Sequence, residues 1–179
     1  MLVAAGHTVA GMTRTAANAE RLRELGAGPV VCDVYDRQRL RGAVVDFAPR
    51  IVVHQLTDLP DDLAQIAEFG ERNERIRREG TRNLLDAASA AGCERFVAQS
   101  IAWRLPGPRG ESTLAFEQQV LDAGGVVVRY GQLYGPGTYY PDAPPPPPPP
   151  PRVHVDEAAR AAVPLLDAEP GVVEVVEDA

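Results

Sequence analysis

Polar side chains able to bind or react stand at the ends of short apolar runs in this chain. Thr13 and Arg14 close HTVAGMTR, and Asp33 and Val34 close PVVCDV. His54, Gln55 and Leu56 close RIVVHQL, Ser100 nearly ends RFVAQSI, and Tyr130 and Gly131 close GVVVRYG. A guanidinium gives a fixed charge and a planar fork suited to an oxyanion. A serine hydroxyl can donate to or accept from a polarised group. What is missing is equally informative. All 18 basic residues are arginine and none is lysine. That excludes a Schiff-base lysine, a phosphate-loop lysine and a tyrosine–lysine proton relay. Cys32 and Cys93 stand far apart in apolar segments, which gives neither a disulfide framework nor a metal cluster. A formal charge of −7 argues against nucleic acid or an anionic membrane as the main partner.

The elements that must position these groups alternate along the chain. Strands are expected at 7–14, 29–34, 50–56, 95–101, 125–131 and 171–178. Helices are expected at 16–25, 36–47 with Asp36 as N-cap, 61–91 with a break near Gly70, 110–123 and 156–168. Near-continuous apolar strands between amphipathic helices indicate βαβ units around a parallel sheet. The right-handed crossover rule makes that an open, doubly wound α/β domain. In such a sheet, ligands meet the carboxyl ends of the strands, where the polar residues lie.

Composition divides the chain into residues 1–140, a proline-rich linker at 141–151, and a helix–strand segment of the same fold at 152–179. Pro144–Pro151 should form a polyproline II rod of about 25 Å, read as a stiff spacer in preference to a docking ligand. No apolar run reaches the roughly 20 residues of a membrane span, and MLVAAGHTV is not a secretory signal, so a cytoplasmic location is expected.

The succession TR, CDVYD, VVHQL, REGTRNLLDAASAAGCERFVAQS, VVVRYGQLYGPG and VHVDEAARA resembles the NAD(P)-dependent epimerase/dehydratase family, the extended and atypical short-chain dehydrogenases. The resemblance covers nearly all of 2–140 and 152–177, and it implies a Rossmann-like fold. It implies that Arg14, assisted by Thr13, holds the 2′-phosphate of NADP, where an acidic residue would select NAD. The plain alternative is a solvated loop arginine. Asp33 and Val34 match the adenine-contacting pair, with an Asx turn or helix cap as the alternative for Asp33. Gln55 and Leu56, with His54, match the strand end along the ribose and nicotinamide. His54 itself is read as structural. Ser100 matches the active-site serine that hydrogen-bonds the substrate carbonyl. Tyr130, Gly131, Gln132 and Tyr134 match the loop beside the nicotinamide. Paired helices often make a homodimer in this family, and 61–91 permits one.

The departures from the family pattern matter as much. The family opens with a strand and a TGxxGxxG turn that brings pyrophosphate to a helix N-terminus. Here LVAAGH reads as the last turn of that first helix. The strands at 8–13 and 50–56 are then left without their shared neighbour. Either they pair directly, another chain fills the gap, or the reading frame begins upstream; the last, or a damaged gene, is the expectation. The family's Tyr-x-x-x-Lys is absent. The aligned stretch RLPGPRGESTLAFEQQV offers Glu111, Ser112 and Glu117 but no phenol. The substrate segment between YGPG and VHVD is reduced to TYYPDA and prolines.

The function expected from this balance is an NAD(P)-binding protein of oxidoreductase or epimerase lineage, acting on a small or sugar-like substrate and catalytically impaired. The alternatives are a non-catalytic nucleotide-binding or interaction module, or a degenerate truncated product. The charge run from Glu71 to Glu79 reads as a solvated helix face. Asp61 and Asp62 read as helix caps in preference to metal ligands.

Overall fold

The structure is a computed structural model that describes residues 1–60, 62–141 and 147–177. After an N-terminal turn come β1 (Ala10–Thr13), α1 (Ala16–Glu24), β2 (Gly28–Val31), α2 (Arg37–Phe47) and β3 (Ile51–His54). A helical stretch follows in pieces: α3 (Gly70–Arg75), a π-helical turn (Ile76–Gly80) and α4 (Thr81–Ala90). Then come β4 (Arg95–Ile101), α5 (Gly107–Asp122), β5 (Val126–Tyr130), β6 (Gln132–Tyr134), β7 (Arg152–His154), α6 (Val155–Ala162) and β8 (Gly171–Val175).

Local chemistry explains most boundaries. The Thr15 hydroxyl accepts from the Asn18 amide at 3.4 Å and opens α1, and Gly26, at φ 79°, ends it. The Asp36 carboxylate accepts from the Arg39 amide at 3.1 Å and caps α2, as the sequence predicts. The helix expected over 61–91 starts only at Gly70; residues 63–65 form a tight 3₁₀ turn, capped by Asp62 accepting from the Ala64 amide at 2.9 Å. Asp61 lies outside the described residues. The helix expected at 156–168 divides after Ala162, because Pro164 has no N–H to continue the ladder, and a 3₁₀ turn takes over at Pro164–Asp167. Two short strands, β6 and β7, carry no sequence signal long enough to announce them.

All strand pairing is parallel. β3, β4, β5 and β8 form one sheet in the order β3-β4-β5-β8, β1 and β2 form a second, and β6 and β7 a third. This is the α/β, doubly wound arrangement expected. β1 and β3 do not pair with each other, so a seam runs between the first two sheets. One apolar cluster bridges it on one face, joining Cys32, Val34 and Leu40 to Ile76, Leu84, Ala88, Phe96 and Phe116. The opposite face of the larger sheet is packed by Val97, Val126, Val128, Tyr130, Val153 and Leu166.

Residues 144–146 of the proline run lie outside the described residues, so the expected rod is not described as a whole. Its last prolines are tied to the body. The Pro149 carbonyl accepts from the Gln132 side chain at 3.1 Å, and the Pro151 carbonyl from the Gln132 amide at 2.8 Å. Both free cysteines lie apart, Cys32 buried and Cys93 half-buried. Among the described residues, no helix is long and apolar enough to cross a membrane.

Candidate functional site

β3, β4 and β5 end together, and side-chain alternation decides which of their residues meet. Ser100 is in register with Arg129, and Ile101 with Tyr130. Ser100 and Arg129 therefore point to the face covered by α4 and α5. Tyr130 points to the other face, within the second apolar cluster, where burial pushes its phenol pKa up. On the Ser100 face Tyr130 therefore presents its backbone and not its ring.

Ser100 is 1% exposed and donates to the Glu117 carboxylate at 2.6 Å. Arg129 grips the same carboxylate through two N–H groups, at 3.0 and 2.6 Å. Burial pushes the Glu117 carboxyl up. The hydrogen bonds from Arg129 and Ser100, with the positive charges of Arg129 and Arg77, outweigh that and hold it below the usual carboxylate range. Glu117 came from the sequence only as a residue of the aligned stretch without a phenol; its bond to Ser100 needed the fold.

Arg77 completes the group. It sits on the π-helical turn, and its guanidinium donates to the Thr113 hydroxyl at 2.6 Å. The charge run of 71–79 is therefore not one solvated face. Arg75 and Glu79 do pair as i,i+4 neighbours at the surface, but the extra residue of the π turn carries Arg77 inward. Leu56, Thr57, Arg77, Gln99, Ser100, Ile101 and Phe116 enclose a cavity of about 20 Å³, room for one water-sized group.

His54, 2% exposed, lies below this cavity with its ring edge-on to Phe96 and Phe116. Its Nδ1 accepts from the Leu56 amide at 3.2 Å, which leaves Nε2–H to donate to the Thr81 hydroxyl at 2.8 Å. Burial, with Arg77 nearby, lowers its pKa to about 4. A neutral, doubly bonded imidazole is structural, in line with the sequence reading.

Across the seam, Arg14 lies at the end of β1 with its side chain 50% exposed, 3.5 Å from Asp58. Asp58 is buried and already takes two bonds from Arg72, at 3.2 and 2.9 Å. Two guanidinium groups, both about half exposed, thus share one carboxylate, and the pair keeps a net positive charge. The Thr13 hydroxyl accepts from the Thr15 amide at 3.3 Å. Asp33 forms an Asx turn, accepting from the Tyr35 amide at 2.9 Å. The Val34 side chain is buried in the core and its carbonyl accepts from Asn83 at 3.0 Å. Gln55 is exposed beside the half-buried Leu56. Gly131 has a packing reason: a Cβ there would stand 2.6 Å from the Arg152 backbone. The Tyr134 hydroxyl donates to Glu177, and its ring meets His154 edge-on at 5.1 Å. Sequence reasoning missed Asp58 and Arg129, and misread Arg77, because each gains its meaning from a partner distant in sequence.

Residues 1–123 match the family model described as NAD(P)H-binding. A 3-diazoavenalumate denitrifying reductase from Streptomyces sp is 34% identical over 214 residues, which takes in 94% of this chain and 67% of the relative. The UDP-glucose 4-epimerase of Thermus thermophilus, solved with NAD, superposes with a TM-score of 0.77 at 21% identity, covering 98% of this chain and 71% of that one. The chain belongs to the NAD(P)H-binding family. The UDP-Glc/GlcNAc 4-epimerase of Campylobacter jejuni shares the fold at TM-score 0.76 and 14% identity, over 98% of this chain and 72% of that one. The reductase alignment is longer than the part of this chain it takes in, so the relative carries residues inside the aligned stretch that this family member lacks. A nicotinamide dinucleotide is the cofactor of the family, and the donors here suit one: a half-exposed guanidinium with charge to spare at one strand end, and a serine-bearing crevice at the ends of β3 and β4.

Proposed function

We propose that this family member binds NADP in preference to NAD, with Arg14 on the 2′-phosphate, and that its inherited oxidoreductase or epimerase chemistry on a small or sugar-like substrate is impaired. Asp33 and Val34 flank the adenine in this reading, and Gln55, Leu56, Tyr134 and the backbone of Tyr130 and Gly131 border the nicotinamide half. The observation that carries the cofactor preference is the shared carboxylate: Arg14 and Arg72 have only Asp58 between them among the described residues. A dianionic phosphate meets unspent charge there, whereas the free ribose hydroxyls of NAD would meet no acidic partner of their own.

The impairment is argued from proton supply. The nicotinamide supplies or takes a hydride; the protein must give or remove the matching proton. Around Ser100 the described ionisable groups are a carboxylate held ionised, the Arg77 and Arg129 guanidiniums, and a neutral buried His54. None of them titrates near neutral pH, where a proton is exchanged most efficiently in either direction. The Ser100 hydrogen is committed to Glu117, so Ser100 serves as a positioning group unless that bond breaks.

The second reading, a nucleotide-binding module without turnover, rests on the same proton count. One titration tests the cofactor assignment. NADPH should bind in the millimolar range or better, and Arg14→Ala should weaken NADPH by about tenfold, roughly 1.4 kcal/mol, more than it weakens NADH. Equal losses for the two nucleotides would refute the 2′-phosphate role. No thermal shift with millimolar NADPH would refute cofactor binding by this chain.

A further inference from the structure

We infer that Arg72 is a positioning residue for cofactor choice. By holding the buried Asp58 carboxylate from α3, it keeps the Arg14 guanidinium available to the 2′-phosphate of NADP, which Arg72 itself does not touch. The role rests on the reading of Arg14 given above. The division of Asp58 between the two arginines stands on geometry.

Asp58 follows β3, and α3 holds it at both its amide and its carboxylate. The amide donates to the Asn73 side-chain oxygen at 3.1 Å. The carboxylate accepts from Arg72 Nε at 3.2 Å and from Arg72 Nη2 at 2.9 Å, one oxygen each. Two parallel N–H bonds of this kind match the guanidinium fork. Arg72 is itself held in place: its guanidinium carbon lies 4.4 Å from the centroid of the Phe69 ring, one turn back at the N-cap of α3. Arg14 reaches the same carboxylate from the other side of the seam at 3.5 Å, an ion-pair distance longer than an ordinary hydrogen bond. Three bonds against one long contact give Asp58 to α3.

The consequence for Arg14 follows from charge and burial. The Asp58 side chain is 8% exposed, whereas those of Arg14 and Arg72 are 50% and 53% exposed. A carboxylate out of water needs a partner, and Arg72 supplies it. Among the described residues, Asp58 is the one carboxylate within ion-pair distance of Arg14. Glu71 and Glu74 line an open cleft with Arg72, Arg75 and Arg78 and lie beyond that distance from Arg14. The Arg14 fork is therefore left to solvent, a charge that a dianion can take. Without Arg72, the buried carboxylate would draw in its remaining cation. Arg14 would then be turned to Asp58, and the strand end would lose its preference for a phosphate. Arg72 thus acts on the cofactor through Asp58, from the opposite side of the seam.

The test combines nucleotide calorimetry with arginine side-chain NMR on the full chain. Arg72→Gln, at a half-exposed position, should lower the ratio of NADPH to NADH affinity at least threefold. Adding Asp58→Asn should restore the ratio to within twofold of the unmodified protein, because no carboxylate then competes for Arg14. Arg78→Gln removes a charge from the same stretch without touching Asp58, and should leave the ratio within twofold. Without nucleotide, the Arg14 Nε–Hε proton should exchange with water at least threefold more slowly in Arg72→Gln than in the unmodified chain. A ratio that stays low in the double variant would make Arg72 a direct phosphate ligand and overturn the inference. So would an equal loss in Arg78→Gln, which would make the effect one of overall charge, and so would an unchanged Arg14 exchange rate. If the exchange slows while the unmodified chain shows no preference for NADPH, the 2′-phosphate reading fails and the hold of Arg72 on Asp58 stands.

Discussion

Acidification should weaken this fold through one residue. His54 is buried and neutral, with both ring nitrogens engaged and a pKa lowered to about 4 by burial and by Arg77. In the unfolded chain the imidazole titrates near 6.5. Between those values the unfolded state binds a proton that the folded state refuses. Stability from this group is therefore complete above about pH 7 and is lost as the pH falls through 6.5 towards 4. The gap between the two pKa values corresponds to about 3 kcal/mol. Urea melts followed by circular dichroism between pH 7.5 and 4 measure it. His54→Gln keeps a polar group near Thr81 but cannot titrate. That variant should be less stable at pH 7.5, and the difference should shrink by about 3 kcal/mol by pH 4. Parallel pH profiles for the two proteins would refute the reasoning. So would a His54 proton resonance that titrates near pH 6.5 in the folded state.

Other outcomes follow from the same packing. Glu117→Gln removes the charge that Arg129 grips and leaves two guanidiniums facing each other across Ser100, so it should cost about 2–4 kcal/mol and lower Tm by about 4–16 °C, read by calorimetry at pH 7. Because the folded Glu117 pKa is lowered, its contribution is present above the ordinary carboxylate range and fades as pH falls through it, so the penalty should be smaller at pH 3.5 than at pH 7. Gly131→Ala forces a methyl against the Arg152 backbone and should cost about 1–3 kcal/mol in urea melts, with the loss of protection concentrated in β6 and β7.

The sequence carried the element order because its signals are local. Thr15 and Asp36 cap, Gly26 stops a helix, and the apolar runs mark the strands. The motif order left the strands at 8–13 and 50–56 without a shared neighbour, with direct pairing as one outcome; β1 and β3 do not pair. The sequence could not carry parity. Ser100 and Tyr130 both read as strand-end polar groups, and only the β4–β5 register puts Arg129 beside Ser100 and turns Tyr130 away. Nor could it carry the π turn. Residues 71–79 look like an i,i+4 charge ladder, and one extra residue in a turn moves Arg77 from the surface to the crevice. Arg14 was legible as a positive strand end, but Asp58, which it shares with Arg72, lies in a loop with no pattern of its own.

The seam between β1 and β3 makes the cooperativity of this domain uneven. Residues from β1 through α2 have no ladder of backbone hydrogen bonds to the larger sheet. They are held by one apolar cluster, the Asn83–Val34 hydrogen bond, and surface pairs such as Arg37–Asp86 at 2.9 Å. Such a quarter of the fold is expected to open as its own foldon, at a free energy below that of global unfolding, and native-state amide exchange measures it. The 2′-phosphate ligand proposed at Arg14 sits on this looser quarter, and Ser100 on the tighter remainder. A ligand that touched both would tie the two together, and its binding would be read most sensitively as slowed amide exchange in β1 and β2.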